Sequence, residues 1–313
     1  MIGLKNTLRG RDFISIHDFT CADVDYFLYV AAELKRMQKM GIPHPYLAGK
    51  TLAMIFQKAS TRTRVAFEVG MYQLGGHALF LSPRDIQLGR GETIKDTALV
   101  LARMVDGIMI RTFDHEEVVE MARWADVPVI NGLTDLLHPT QVIGDLLTIK
   151  EHKGYLKGLK LTYVGDGNNV AHELLFGGAK VGMDVVIASP SGFEPDPQVL
   201  EAARQDALET EATLSVVQDP KEAVKGADVI YTDVWASMGQ EEQAEEKEKN
   251  FLRYQVNAKL MKLAKKDAIA LHCLPAKRGK EITDEVMDGP QSAIFDESEN
   301  RLHAHKAIMA LTM

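Results

Sequence analysis

Short apolar runs alternate with amphipathic stretches along the whole chain. Between the runs, apolar residues recur three or four positions apart, which is the spacing of one helix face. This alternation predicts an α/β protein with two doubly wound parallel-sheet domains linked by interdomain helices. The strands are predicted at residues 52–56, 78–81, 107–111, 128–131, 159–164, 184–188, 213–217, 228–232 and 268–272.

Helical patterns fill the gaps between these strands, notably at residues 93–105 and 116–125, and a helix at about 138–152 joins the two sheets. Near the C-terminus, Ala304, Ala307, Ile308 and Leu311 fall on one helical face, so we expect the tail to pack on a domain. The predicted domains are residues 1–137 and residues 138–296, with a C-terminal helix at about 297–313 packing back on the first.

Composition narrows the class of protein. The chain has 313 residues, 46% hydrophobic and 26% charged, which is typical of a soluble protein with two domains. A net charge of −8 argues against a general nucleic-acid or membrane-surface binder, and no apolar stretch approaches the roughly 20 residues that span a bilayer. The two cysteines make no disulfide framework, and the N-terminus lacks a secretory signal. We therefore expect a cytoplasmic protein.

A basic, hydroxyl-rich segment at the start of a predicted helix predicts an anion site. Ser60, Thr61, Arg62 and Thr63 follow the first strand directly, and Arg64 comes next. A helix N-terminus is already positive, so cations there are unfavourable unless an anion binds. The alternative is a helix start whose arginines pair with surface acids. We favour the anion site because the hydroxyls and the arginine fork together suit a phosphate.

Other polar residues follow predicted strands, where ligands gather in open α/β sheets. Arg111 ends a strand, and His138 and Gln141 share the first turn of the joining helix. Taken singly, Arg111 fits the solvated edge of a sheet equally well, and His138 fits a cap. Arg301 alone fits a surface helix position.

The segment "GDGNN", residues 165–169, suggests dinucleotide binding but fits it poorly. Val170 stands where the third glycine belongs, and the next strand ends in Ala188 without an acidic residue for a ribose. The turn better serves to present Asn168 and Asn169, whose amides suit a zwitterion, although a helix cap is the usual role of such an asparagine.

Two later strand ends add acceptor-side candidates. Asp233 follows one strand and is a candidate partner for an amine, and Ser237 and Met238 lead into the charged run 240–250. We expect that run to be solvated, and the segment 237–250 to close when an amine substrate binds. Cys273 and Leu274 end the last strand, although a lone cysteine is more often inert packing.

Together these motifs resemble the transcarbamylases, and most closely the ornithine carbamoyltransferases. The resemblance runs in order through STRTR, IQLGRGE, the strand-end arginine, HPTQ, GDGNN, DVWASMGQE, HCLPAKRG and ENR. It implies a carbamoyl-phosphate domain, an ornithine domain, no metal and no organic cofactor. It also implies a homotrimer or a higher multiple with active sites shared between subunits. The chain departs from the common pattern at Gln57 and Ala59, before the STRTR serine.

The resemblance implies a role for each matching residue. The phosphate of carbamoyl phosphate would be held at the STRTR segment and by Arg301, with Gln87 reaching it from a neighbouring subunit. Arg111, His138 and Gln141 would bind the carbamoyl group, and Cys273 and Leu274 would meet the reacting centre. In this assignment the carbamoyl-phosphate residues are Ser60, Thr61, Arg62, Thr63, Gln87, Arg111, His138, Gln141, Cys273, Leu274 and Arg301, of which Arg111, His138 and Cys273 are catalytic. The ornithine residues are Asn169, Asp233, Ser237 and Met238.

Three alternatives remain open from the residues. Another transcarbamylase would use putrescine or aspartate, although a dicarboxylate acceptor calls for basic groups where Asp233 stands. A nicotinamide-dependent dehydrogenase is disfavoured by Val170. A non-catalytic anion-binding protein is disfavoured because phosphate-side and amine-side residues are both present.

Overall fold

The computed structural model describes residues 3–4, 6–84, 86–88, 90–236 and 244–313. The chain divides into two compact units, one formed by Met1–Leu147 with Asn300–Met313 and the other by Thr148–Glu299. Both unit boundaries fall inside helices. The strands are β1 Thr51–Phe56, β2 His77–Leu81, β3 Gly107–Arg111, β4 Val129–Leu133, β5 Lys160–Val164, β6 Asp184–Ala188, β7 Leu214–Val217, β8 Val229–Thr232 and β9 Ile269–His272.

The helices alternate with these strands as the apolar pattern predicts, and a further helix precedes β1. They are α1 Cys21–Lys39, α2 Thr61–Gln73, α3 Ile94–Leu101, α4 His115–Trp124, α5 Pro139–Lys153, α6 Asn169–Val181, α7 Pro197–Asp206, α8 Pro220–Ala223, α9 Ala244–Phe251, α10 Ala258–Met261, α11 Asp284–Met287 and α12 Ile294–Thr312. The prediction placed the end of α3 too late, because the chain turns at Ala102 and leaves Met104 exposed.

The first unit is built on a parallel sheet with strand order β2-β1-β3-β4. Its apolar core includes Ala53, Ile55, Ile108 and Ile110, which alternate along the two central strands. The order reverses beside β1, so the carboxyl ends of β1 and β3 form a switch point, where open α/β sheets bind ligands. Ser60 follows β1 and Arg111 ends β3.

The second unit is built on a parallel sheet with strand order β7-β6-β5-β8-β9. Strands β5, β8 and β9 are buried along nearly their whole length, as is usual for parallel sheets, whereas the edge strand β7 is partly exposed. Here the order reverses beside β5, so the switch point lies at the carboxyl ends of β5 and β8. Asn168 and Asp233 follow those two strands. The predicted α/β class with two parallel sheets is confirmed.

The C-terminal helix α12 continues past the second unit, and its last residues belong to the first. Ala304, Ala307 and Ile308 are fully buried there. Within the part of the chain that the structure describes, none of the helices has both the length and the apolar character that a membrane crossing requires.

Candidate active site

Ser60 starts helix α2 and shapes the anion site predicted from the sequence. Its backbone is extended, with φ −161°, and its Oγ accepts a hydrogen bond from Thr63 N at 3.2 Å. The same hydroxyl lies 3.1 Å from Thr63 Oγ1. The first backbone N–H groups of α2 therefore point out of the helix beside two hydroxyls, which is the geometry that binds an oxyanion.

Two arginines from distant parts of the chain converge on Thr63. Arg301 Nη2, from α12, donates to Thr63 Oγ1 at 2.6 Å. Arg111 Nη1, at the end of β3, lies 3.5 Å from the same oxygen and 3.4 Å from Gly132 O. Arg301 is only 2% exposed and Arg111 only 6%. Two buried positive charges on one hydroxyl make a strongly positive pocket at the positive end of α2.

His138 lies in the same pocket, immediately before α5. Burial lowers its pKa well below the ordinary value, and the charges of Arg301, Arg111, His305 and Arg62 lower it further. Three arginines therefore act electrostatically on one imidazole. At neutral pH the imidazole is therefore uncharged and offers one N–H donor.

His305 is a second buried histidine of the pocket, one turn after Arg301 on α12. Burial lowers its pKa well below the ordinary value, and Arg301 and Arg111 add to the shift. Its ring stacks on Phe67 of α2, with the ring centroids 4.2 Å apart. Nothing in the sequence pattern distinguished His305 from an ordinary core residue.

Gln141 and Gly144 bring helix α5 against this group. Gln141 is buried, and its Nε2 donates to Asp145 Oδ1 at 2.8 Å. A Cβ atom at Gly144 would lie 3.3 Å from the Arg301 backbone nitrogen, so the glycine permits the close approach of α5 and α12. The contact between Asp145 and Gln141 was not predicted, although their spacing of four residues on a helix could have suggested it.

Three residues near the pocket make contacts away from Thr63 or are exposed. Arg64 Nε pairs with Glu68 Oε1 at 2.9 Å, and its guanidinium lies 3.6 Å above the centre of the Phe80 ring. Gln57 Nε2 donates to Glu117 Oε2 at 2.8 Å. Gln87 is exposed.

A cleft of about 510 Å³ borders the start of α2. Its lining includes Phe56, Gln57, Ala59, Ser60 and Thr61. The cleft makes the hydroxyl-rich segment accessible from solvent.

In the second unit, Asn168 holds Asp233 in place. Asn168 Nδ2 donates to Asp233 Oδ2 at 2.8 Å, while Asn168 Oδ1 accepts from Val170 N at 3.0 Å and from Tyr163 OH at 3.2 Å. Asn168 is thus both the cap of α6 and the support of Asp233. Asn169, the predicted ligand, is buried at the first position of α6.

Cys273 lies directly beside Asp233. Its Sγ donates to Asp233 Oδ1 at 3.1 Å, so one carboxylate accepts from both an amide and a thiol. Burial raises the pKa of Tyr163 well above its ordinary value, and the Asp233 charge adds to the effect. Tyr163 therefore stays a neutral donor to Asn168. The predicted residues Ser237 and Met238 lie outside the described residues. So do residues 237–243 of the predicted closing segment 237–250.

Leu274 follows in the left-handed backbone region, with φ 56°, which is uncommon for a leucine. Its N–H donates to His272 Nδ1 at 2.9 Å, and His272 Nε2 donates to Glu281 Oε1 at 3.1 Å. The Leu274 backbone N–H is therefore satisfied within the protein.

Asp233, His272 and Cys273 have ligand atoms within 4.8 Å of one another, which raises the question of a metal site. A metal needs a lone pair on a ring nitrogen. His272 uses the Nδ1 lone pair for Leu274 N–H and the Nε2 proton for Glu281. The donor set therefore does not fit a metal unless at least one of these bonds is broken.

Comparison with known proteins identifies two family domains in the chain. Residues 11–151 match the model of the aspartate/ornithine carbamoyltransferase carbamoyl-P binding domain, and residues 157–312 match that of the Asp/Orn binding domain. The chain belongs to the aspartate/ornithine carbamoyltransferase family. The resemblance seen in the sequence motifs is thereby confirmed.

The similar proteins described next are named ornithine carbamoyltransferase. An ornithine carbamoyltransferase of Thermococcus kodakarensis is 58% identical over 98% of this chain and 98% of its own length. One of Pyrococcus furiosus, named as anabolic, is 56% identical over 98% of both chains. A solved structure of the Pyrococcus furiosus ornithine carbamoyltransferase covers 100% of this chain and 99% of its own, with 55% identity and a TM-score of 0.96.

Proposed function

We propose that the protein transfers the carbamoyl group of carbamoyl phosphate to the δ-amine of L-ornithine, giving L-citrulline and phosphate. The observation that carries this proposal is the buried positive pocket of the first unit, where Arg111 and Arg301 converge on Thr63 beside neutral His138. The names of the similar proteins support the same reaction.

The first unit supplies the donor side. Ser60, Thr61, Arg62 and Thr63 hold the phosphate through hydroxyls, backbone N–H groups and a guanidinium fork, and Arg301 completes this shell. Arg111 and His138 donate to the carbamoyl oxygen, where negative charge develops during attack. Gln141 meets the carbamoyl amide. Along the sequence, we assign residues 1–137 to the donor domain and residues 138–296 to the acceptor domain, with the helix at about 297–313 returning to the first. His138 and Gln141, at the start of the second range, also serve the donor site.

The second unit supplies the acceptor side. Asp233 binds the α-amino group of ornithine, and Asn169, Ser237 and Met238 contact the amino-acid portion. Cys273 and the Leu274 carbonyl meet the δ-amine. The support for Asp233 is its fixed, doubly hydrogen-bonded position beside Asn168 and Cys273.

The chemistry needs a neutral amine. An alkyl amine with a pKa near ~10.4 is mostly protonated at neutral pH, so the site binds or generates its neutral form and aligns it with the carbamoyl carbon. Attack gives a tetrahedral oxyanion, and collapse of that intermediate expels phosphate. No covalent enzyme intermediate and no cofactor is needed. Cys273 positions the amine and does not act as the nucleophile.

The protein works as a homotrimer or a higher multiple in the cytoplasm, in the direction of arginine biosynthesis. The exposed position of Gln87 supports sharing of the donor site, because an exposed side chain can reach a neighbouring subunit. The name anabolic on the Pyrococcus furiosus relative supports the direction.

A steady-state assay of the released phosphate tests the proposal. Carbamoyl phosphate is supplied with ornithine, putrescine, N-acetylornithine or aspartate, each at the same concentrations, and citrulline is measured separately. We expect ornithine to give the highest kcat/KM. A higher value for putrescine or aspartate would reassign the chain to another transcarbamylase activity, and no turnover with any acceptor would refute the proposal.

A further inference from the structure

Asp145 decides which way the amide of Gln141 faces. It lies fully buried on α5, one helical turn after Gln141, and its Oδ1 accepts from Gln141 Nε2 at 2.8 Å. A carboxylate can only accept hydrogen bonds, so it binds the nitrogen end of a neighbouring amide. The oxygen end, Gln141 Oε1, is consequently turned away from Asp145.

The orientation of an amide matters because its two ends have opposite hydrogen-bonding character. Gln141 lies one helical turn from His138, whose surroundings include Arg111 and Arg301. With Asp145 holding one Nε2 proton, Oε1 is the acceptor that Gln141 offers to a ligand, beside the second Nε2 proton. A ligand that matches it must carry an N–H or O–H donor.

Carbamoyl phosphate and acetyl phosphate differ in this property. Carbamoyl phosphate carries an NH₂ group on the carbon that is transferred, whereas acetyl phosphate carries a methyl group of similar size there. Gln141 Oε1 accepts a hydrogen bond from the NH₂ group of carbamoyl phosphate. The methyl group of acetyl phosphate would exclude water from this oxygen without giving it a hydrogen bond. Leaving a buried polar group without its bond is costly, and sites built in this way reject the analogue strongly.

We propose that Asp145 is a positioning residue that makes the protein specific for carbamoyl over acetyl donors. It does so by holding the Gln141 amide with its oxygen toward the transferred group. The inference rests on the proposed function, because it takes Gln141 as the residue that meets the carbamoyl amide. Asp145 itself touches no reacting atom.

Equilibrium binding of three ligands tests the role of Asp145. Carbamoyl phosphate, acetyl phosphate and inorganic phosphate are titrated into the wild type, Asp145→Asn and Asp145→Leu without any acceptor. We expect the wild type to prefer carbamoyl over acetyl phosphate by about 100-fold or more. Asparagine can donate as well as accept, and leucine can do neither, so both variants free the Gln141 amide to turn. The preference should fall about tenfold or more in each, while phosphate affinity stays within about twofold.

Asp12→Asn is the matched control. Asp12 lies in the same unit, and its Oδ1 accepts a hydrogen bond from Val129 N at 2.8 Å. Val129 is at the amino end of β4, whereas the pocket lies at the carboxyl ends of the strands. The control should keep the wild-type preference.

An unchanged preference in the Asp145 variants would overturn the inference, and so would equal affinity of the wild type for the two acyl phosphates, which needs no variant to fold. An equal loss of affinity for all three ligands would give Asp145 a purely structural role. Citrulline formation by the wild type is measured in parallel. Its absence would refute the proposed function, whereas citrulline formation with an unchanged preference would refute only the role of Asp145.

Discussion

Arg62 and Arg64 are two positions apart at the start of α2, yet their surroundings differ. Arg62 acts electrostatically on buried His138, whereas Arg64 pairs with Glu68 and stacks on Phe80. We expect Arg62→Ala to weaken carbamoyl-phosphate binding by about 100-fold or more, because a charge-assisted fork is lost. Arg64→Ala should change that affinity by about threefold at most. Titration of both variants with carbamoyl phosphate gives the comparison, and similar losses in the two would contradict the assignment of Arg62.

The lowered pKa of His305 predicts how the stability of the protein depends on pH. Its pKa is lowered in the folded state by burial and by the neighbouring arginines, so below about pH 6.5 the unfolded chain binds more protons at this residue than the native protein does. Stability should therefore fall as the pH drops below about 6.5 and should not depend on this residue above it. For one such group the slope is at most about 1.4 kcal/mol per pH unit.

Urea unfolding between pH 5 and pH 8 measures that slope. His305→Gln should make the free energy of unfolding less steep in pH below 6.5, whereas His17→Gln, at an exposed position, should leave the slope as in the wild type. Equal slopes in the wild type and His305→Gln would show that the folded protein accepts the proton at His305 without cost.

Among individual residues, the sequence predicted those members of the candidate site that lie at strand ends. Arg111 ends one strand and His138 follows another, and the carboxyl ends of strands are where parallel sheets bind ligands. His305 and Asn168 were not selected, because their roles depend on what lies beside them in space. The sequence offered Asn168 and Asn169 together, and only the hydrogen bond from Asn168 to Asp233 separates the two.

Helix α12 is positioned in the first unit by glycines of two other helices. A Cβ atom at Gly144 of α5 would meet the Arg301 backbone nitrogen at 3.3 Å, whereas one at Gly70 of α2 would meet the flexible end of Met309 at 2.9 Å. A backbone atom inside a helix cannot give way easily, but a methionine methyl group can.

The two glycines therefore make a matched pair of substitutions. Gly144→Ala should displace Arg301 and weaken carbamoyl-phosphate binding by about tenfold, while Gly70→Ala should leave affinity within about twofold, each gaining some intrinsic helix propensity. Binding and thermal unfolding of both variants give the readout. Unchanged affinity in Gly144→Ala would mean that α5 and α12 adjust freely.

All nine predicted strands are present, since each is a short apolar run bounded by turn residues. Helix α1 was not predicted, although Val24, Phe27, Leu28 and Ala31 have helical spacing and are buried. The sequence pattern shows which residues are apolar, but the pairing order β2-β1-β3-β4 depends on contacts between distant residues.

At the scale of the whole molecule, the proposed sharing of the donor site can be tested by mixing subunits. If Gln87 of one subunit serves its neighbour, a trimer containing both Arg62→Ala and Gln87→Ala chains has some sites in which both residues are intact. Random mixing in a symmetric trimer should place about one quarter of the sites in this state. Each variant alone should be nearly inactive.

The measurement is citrulline formation after the two variants are dissociated, mixed and reassembled. Arg62→Ala mixed with Arg301→Ala is the control, because both residues serve the donor site of their own chain, and activity should not recover. Recovery in the control, or none in the Gln87 mixture, would contradict the sharing of sites through Gln87.

The return of residues 300–313 to the first unit has a consequence for synthesis on the ribosome. The amino-terminal part of the first unit is made first, but Arg301 and His305 emerge only after the whole of the second unit. A nascent chain therefore cannot complete the positive pocket of its first unit until its second unit is fully synthesised. Chains that terminate within the second unit would lack Arg301 and His305 and could not complete this pocket.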